Sequence, residues 1–390
     1  MRHQSLLPIL ALGLAIIAPS TVSSQTPSGA TASTATNQPV TVAYRDVPSS
    51  ATGAMTLDVV VTDKSGAPLE GLSAADFKLL DNKTPQNILS VRATEGFAAK
   101  PDPPVEVIVV LDAINSSFLT ETNARKWIRD FLDENGGQLA LPTSLLVLTD
   151  HGAKAQDHPS RDGKILEQFL DANNPGLRTM KKDQGWEGAM AREQASLKLL
   201  NLLATGEARV PGRKLLLWLS PGWQMISQSM SSRSQKSNNL LFDYIVSIST
   251  ELRAARITLY NINPQEAGPG QYQFESYLKP VDVPEHSDFG NLLLPVLAEE
   301  TGGQVMAGYN DLAKLMDRCI ADAKDYYELT FTPPPPGHPN ELHKLEVLVD
   351  KPGLKAEART RTLYYAEPTT VTGAGSSASA PGQTPKPASN

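Results

Sequence analysis

Three sets of residues in this 390-residue chain carry side chains able to do chemistry. The first is Asp112, Asn115, Ser116 and Ser117, which follow directly on the apolar run at residues 107–111. Carboxylate and hydroxyl oxygens so close together are the donors that a hard cation such as Mg²⁺ takes. The second is Asp112, His151 and Ser220, the residue types of a nucleophilic relay if a fold brings them within hydrogen-bond reach. No G-x-S-x-G turn accompanies them, and Ser220 precedes Pro221, which has no N–H to offer an oxyanion. The third is a pair of Asp-His steps in "DHGAKAQDH", where His151 and His158 are types that bind Zn²⁺. A hydrophilic surface loop is the simpler reading of that stretch.

The elements that must position these residues are legible from hydrophobic spacing. A continuous apolar run ending in an aspartate reads as a buried parallel strand, and open α/β sheets place ligands at the carboxyl ends of such strands. "TETNARKWIRDFLDENGG" puts Ala124, Trp127, Ile128, Phe131 and Leu132 on one helical face, stopped by Gly136 and Gly137. The strand "TSLLVLTD" follows, then a short helix marked by Ile165, Leu166, Phe169 and Leu170 and a long one carrying Leu199, Leu200, Leu202 and Leu203. Next come the strand "RKLLLWLSPG", the helix "NNLLFDYIVSISTELRAA", the strand "RITLYNINP", the helix "NLLLPVLAEETGG", a short strand "QVM" and a last helix "DLAKLMDRCIADA". Repeated β-α units of this kind require a mostly parallel sheet covered on both faces.

Residues 51–98 and 324–367 read differently, as about three strands each with Gly- and Pro-rich turns. Neither block could bury a good core alone at that size. The expected architecture is therefore a doubly wound α/β domain, residues 104–323, inserted into one β-sandwich built from both blocks. The four-proline run at residues 330–339 reads as a stiff exposed turn between sandwich strands.

The termini and the charge bound the setting. Residues 1–24 combine a short basic start, an apolar run and small residues, with Val22 and Ser24 at the −3 and −1 positions of a signal peptidase site before Gln25. The expectation is a cleaved signal peptide and a secreted or periplasmic protein without a transmembrane anchor. Residues 25–50 and 368–390 are Ser-, Thr- and Ala-rich and read as a disordered linker and tail. The single cysteine, Cys319, excludes an internal disulfide and falls on an apolar helix face with Leu315 and Met316. A net charge of −7 argues against a nucleic-acid partner.

With these pieces in place the chain resembles a family. "VIVVLDAINSS" followed by "GRKLLLWLSPGW" resembles the von Willebrand factor A domain, and the whole mature chain resembles the VWFA-related proteins of Acidobacteria. The shared patterns are V-T-D-x-x-G-x-P-L-x-G-L at residues 61–72 with Asp76 and Phe77, L-A-x-x-T-G-G at residues 297–303, Y-Y-x-L-x-F-x-P at residues 326–333, and H-K-L-x-V followed by R-P-G-L between residues 343 and 354, with Lys351 in place of the arginine.

The resemblance implies protein–protein binding rather than enzymatic activity, and a metal-ion-dependent adhesion site made from three loops. Asp112 and Ser116 match the aspartate and the second serine of the Asp-x-Ser-x-Ser loop, and Thr179 is the nearest candidate for the threonine of the second loop. Ile114 replaces the first serine, and Pro221 stands where the third loop's aspartate is expected. The expectation is a degenerate site with no cofactor, Mg²⁺ being the alternative. The same crevice is the expected protein-binding surface, with Asn115, Ser117, Ser220 and Trp223 as contacts. Divalent-metal-dependent adhesion and a weak hydrolase using Ser220, His151 and Asp112 are the other two readings.

Overall fold

The computed structural model describes residues 53–94, 105–174, 185–223, 233–265, 271–307 and 312–366. The expected signal peptide, linker and tail, and Thr179 with most of its loop, lie outside the described residues.

The central layer is a seven-stranded sheet made of β5 (Val105–Asp112), β6 (Gln138–Thr149), β7 (Gly152–Ala155), β8 (Ser160–Asp162), β9 (Arg213–Leu219), β10 (Ile257–Asn263) and β11 (Val305–Ala307). Its order is β11-β10-β9-β5-β6-β7, with β8 also on β6. Strands β11, β10, β9, β5 and β6 are parallel, while β7 and β8 run antiparallel to β6. The fold is thus a mixed α/β fold with a mainly parallel sheet. The "DHGAKAQDH" stretch is a correction to the loop reading: residues 152–155 pair as an edge strand with all four side chains exposed. Its polar composition hid it, since an edge strand buries neither face.

Among the described residues six α-helices cover the sheet: α1 (Phe118–Leu132), α2 (Gly163–Ala172), α3 (Trp186–Glu207), α4 (Gln235–Ala254), α5 (Leu294–Glu300) and α6 (Leu312–Ala321). Alternation along β5 sorts its side chains between the two faces. Val107, Val109 and Leu111 join α1, α2 and α6 in one apolar cluster, whereas Ile108 and Val110 join α3, α4 and α5 in another. Cys319 is fully buried in the first cluster, its Sγ 3.5 Å from the Met306 Sδ.

The two terminal blocks contribute four strands each, one more than their sequences suggested. The first holds β1 (Met55–Asp63), β2 (Phe77–Asp81), β3 (Thr84–Gln86) and β4 (Ile88–Thr94). The second holds β12 (Tyr326–Phe331), β13 (Glu341–Val349), β14 (Ala356–Arg359) and β15 (Leu363–Ala366). They interleave in two four-stranded sheets of order β14-β1-β12-β4 and β15-β13-β2-β3. One buried cluster draws Leu57, Val59 and Phe331 from the first sheet and Leu79, Leu345 and Tyr364 from the second. The stretch "AEARTRTLYY" reads as one strand but is two, because Thr360, Arg361 and Thr362 carry the chain from one sheet to the other.

The T-G-G step at residues 301–303 joins the terminal strands to the central sheet. Thr301 Oγ1 accepts the Leu259 N–H at 2.9 Å and donates to the Ala298 carbonyl at 3.0 Å. A Cβ on Gly303 would lie 1.7 Å from the Leu259 carbonyl oxygen, and one on Gly302 would lie 2.5 Å from the Thr360 backbone. Only glycine permits both approaches.

Candidate functional site

Strands β5, β6 and β7 build outward on one side and β9, β10 and β11 on the other, so the order reverses between β5 and β9. The carboxyl end of that pair is the switch point at which doubly wound sheets bind ligands. Asp112 ends β5 and Ser220 follows β9, next to each other and both fully buried.

The Asp112 carboxylate is taken up from within. It accepts the Asn115 N–H at 3.1 Å, the Asn115 Nδ2 at 2.9 and 3.0 Å, and the Trp218 Nε1 at 3.0 Å. The Ser220 hydroxyl lies beside it and accepts the Gly222 N–H at 3.2 Å. Two carboxylate oxygens offer about four lone-pair sites, and these donors fill them. Burial raises the Asp112 pKa above the ordinary carboxylate value, and the bonds from Trp218 and Asn115 oppose that rise.

The neighbouring residues complete a polar seam along the sheet's carboxyl edge. Asn115 Nδ2 also donates to the Ser196 Oγ on α3 at 2.9 Å, and Asn261 Nδ2 donates to the Ser220 carbonyl at 3.1 Å. Ser117 caps α1, its Oγ accepting the Thr120 N–H at 3.1 Å, and Gln265 Nε2 reaches the Thr120 Oγ1 at 2.7 Å. Ser196, Asn261, Asn263 and Gln265 were not expected from the sequence. Asn261 and Asn263 carried the same signal as Asp112, polar residues at the carboxyl end of a buried strand.

A divalent metal does not fit this arrangement. N–H donors occupy the carboxylate a cation would need, and a cation requires oxygens rather than hydrogens around it. Ile114 packs against the apolar cluster that contains Trp218 and Trp223, and Pro221 offers no side-chain oxygen. Among the described residues no group of three or more His, Cys, Asp or Glu could hold a metal ion. Ser116 is fully buried, and its Oγ has no hydrogen-bond partner among the described residues.

The relay of Ser220, His151 and Asp112 is not assembled. The His151 side chain is 76% exposed in the turn after β6, with Asp150 as its neighbour at 3.7 Å. Asp112 and Ser220 are at 0% exposure behind it.

Two of the expected contact residues face inward. Trp223 is buried edge-on against Trp218, with ring centroids 5.5 Å apart, so it is a core residue. Ser220 is enclosed. The exposed apolar side chains at this edge are instead Phe118 and Leu119, 45% and 65% exposed in the first turn of α1. Polar neighbours on both sides masked them in the sequence.

No protein-family model matches the chain, and no curated protein matches it. Solved structures with partial likeness include the SpRpn10 VWA domain, at 10% identity over 55% of this chain and 94% of that one, with a TM-score of 0.25. The manganese-loaded Plasmodium vivax TRAP protein is 9% identical over 70% of this chain and 96% of its own, with a TM-score of 0.29. The pilus adhesin SpaC from Lactobacillus rhamnosus GG is 9% identical over 77% of this chain and 50% of its own, with a TM-score of 0.33. Likenesses this distant bear on neither partner nor activity.

Proposed function

We propose that the chain is an exported, non-enzymatic binding protein. In this reading a von Willebrand factor A-like domain with a degenerate metal-ion-dependent adhesion site is set into a β-sandwich formed by the terminal strands. The observation that carries it is the saturation of Asp112 by Asn115 and Trp218, which leaves the switch point without a cation's ligand set. A protein partner then docks without metal on the edge around Phe118 and Leu119, since exposed apolar side chains beside polar ones suit such contacts. No described helix is long and apolar enough to cross a membrane, and export rests on residues 1–24.

Thermal melting of the full mature chain in millimolar Mg²⁺, Mn²⁺ or chelator tests this reading. A ligand at a hundredfold excess over its Kd adds about 2.7 kcal/mol to a folded state that alone binds it. The melting temperature is expected to stay unchanged in all three conditions. A clear rise with Mn²⁺ or Mg²⁺, reversed by chelator, would instead establish metal-dependent adhesion.

A further inference from the structure

Away from the carboxyl edge, the joint where the chain passes from β14 to β15 encloses a small cavity of about 30 Å³ that opens to solvent. Its lining includes Asp58, Arg253, Arg256, Thr301, Thr360 and Arg361, three guanidinium groups against one carboxylate. Asp58 is already committed: Arg256 donates to its Oδ1 at 2.5 Å and also pairs with Glu328. Glu328 in turn holds Arg92.

Arg361 is the residue left over. It is 8% exposed, and its guanidinium makes no hydrogen bond or ion pair among the described residues. Its charge is opposed by Arg253 and attracted by Glu300 and Asp58, neither of which forms an ion pair with it. Burial pushes the Glu300 carboxyl up to about 8, and Arg361 opposes that rise without forming an ion pair with it. Arg361 keeps its own charge there, since burial and Arg253 lower it only to about 10.

A buried guanidinium without acceptors is costly, and planar N–H forks match the oxygens of phosphate-like anions. A cavity this size takes one or two water-sized groups, hence two oxygens of a tetrahedral anion whose remainder sits at the mouth. We infer that this joint binds a small inorganic oxyanion, phosphate or sulfate, held by the Arg361 guanidinium with Arg253 beside it. The ligand bridges β1, the end of α4, the turn after α5 and the β14–β15 crossing, and it is independent of the edge around Asp112.

Calorimetric titration of the full chain with sodium phosphate and with sodium sulfate, at fixed ionic strength, tests the inference. One saturable site is expected for at least one of the two anions. Arg361→Gln weakens it at least about tenfold, the loss of about one charge-assisted bond, and Arg361→Lys retains part of it. Absence of saturable binding to the unaltered protein, or unchanged binding by a folded Arg361→Gln variant, overturns the inference. Should that variant not fold, crystals of the unaltered protein soaked in selenate decide the matter. An anomalous peak beside the Arg361 guanidinium supports the site, and its absence there rejects it.

Discussion

Trp218 donates its indole N–H to Asp112 across the β5–β9 pair at 3.0 Å, so one buried residue supplies both core volume and a partner for the buried carboxylate. Trp218→Phe keeps a ring but removes the donor. Leaving a buried acceptor short costs about 1–3 kcal/mol. Urea denaturation is expected to show a loss of at least that size, since a cavity adds to it. A variant as stable as the parent would mean that the bond contributes nothing.

The two glycines of the T-G-G step give a sharper contrast. Gly303→Ala would drive a methyl into the Leu259 carbonyl, with a separation of 1.7 Å before relaxation. The expected loss is above about 4 kcal/mol, or failure to accumulate as soluble protein. Gly206→Ala near the end of α3 meets nothing within 4 Å, and is expected to stabilise by up to about 1 kcal/mol. Thermal melts of the two variants side by side check both signs.

Burial also sets a pH dependence. Glu193 on α3 and Glu106 on β5 are each pushed up to about 7 from an ordinary 4.5, burial being the main cause in both. The folded state therefore holds protons that the unfolded chain has released, and stability falls as pH rises from about 4.5 to 7. Glu193→Gln never has to bury a charge. Relative to the parent it is expected to gain on the order of 1 kcal/mol on going from pH 5 to pH 8. Urea melts at the two pH values measure the difference, and a constant offset between the proteins would contradict it.

Residues 53–94 expressed alone are expected to remain unfolded. β1 has β12 and β14 as its neighbours in its sheet, both from the far end of the chain, and β2 has β13. A well-dispersed amide NMR spectrum from the isolated fragment would contradict this.

How much was legible follows from what periodicity can report. The buried strands β5, β9 and β10 and the amphipathic helices announced themselves through spacing, as did Asp112 at a strand end. The edge strand β7 did not, since it buries nothing, and neither did the break between β14 and β15. That break depends on which sheet accepts each half, a non-local fact. At the candidate site, Ile114 and Pro221 revealed two missing oxygens. Of the donors that replace a metal's partners, Asn115 is local, but Trp218 is over 100 residues away and no local pattern links it to Asp112. The shared patterns themselves turn out to be joints. Asp63 Oδ1 accepts the Ser65 and Ala67 N–H groups in the V-T-D turn, and the Tyr327 hydroxyl ties to Leu69 and Leu72.

The antiparallel pairing of β1 with β14 joins Asp63 to Ala356, and this has a consequence during synthesis. At ribosomal rates of about 5–20 residues per second, β1 emerges roughly 15–60 s before the strand that flanks it exists. Until β12 is made late in that interval, the strand carrying Leu57, Val59 and Val61 has no pairing partner from its own sheet, while everything needed by the central sheet is made in between. Maturation is therefore ordered from the middle outward, and an early stop codon that spares the whole central sheet would still leave β1 and β4 without β12, and β2 without β13.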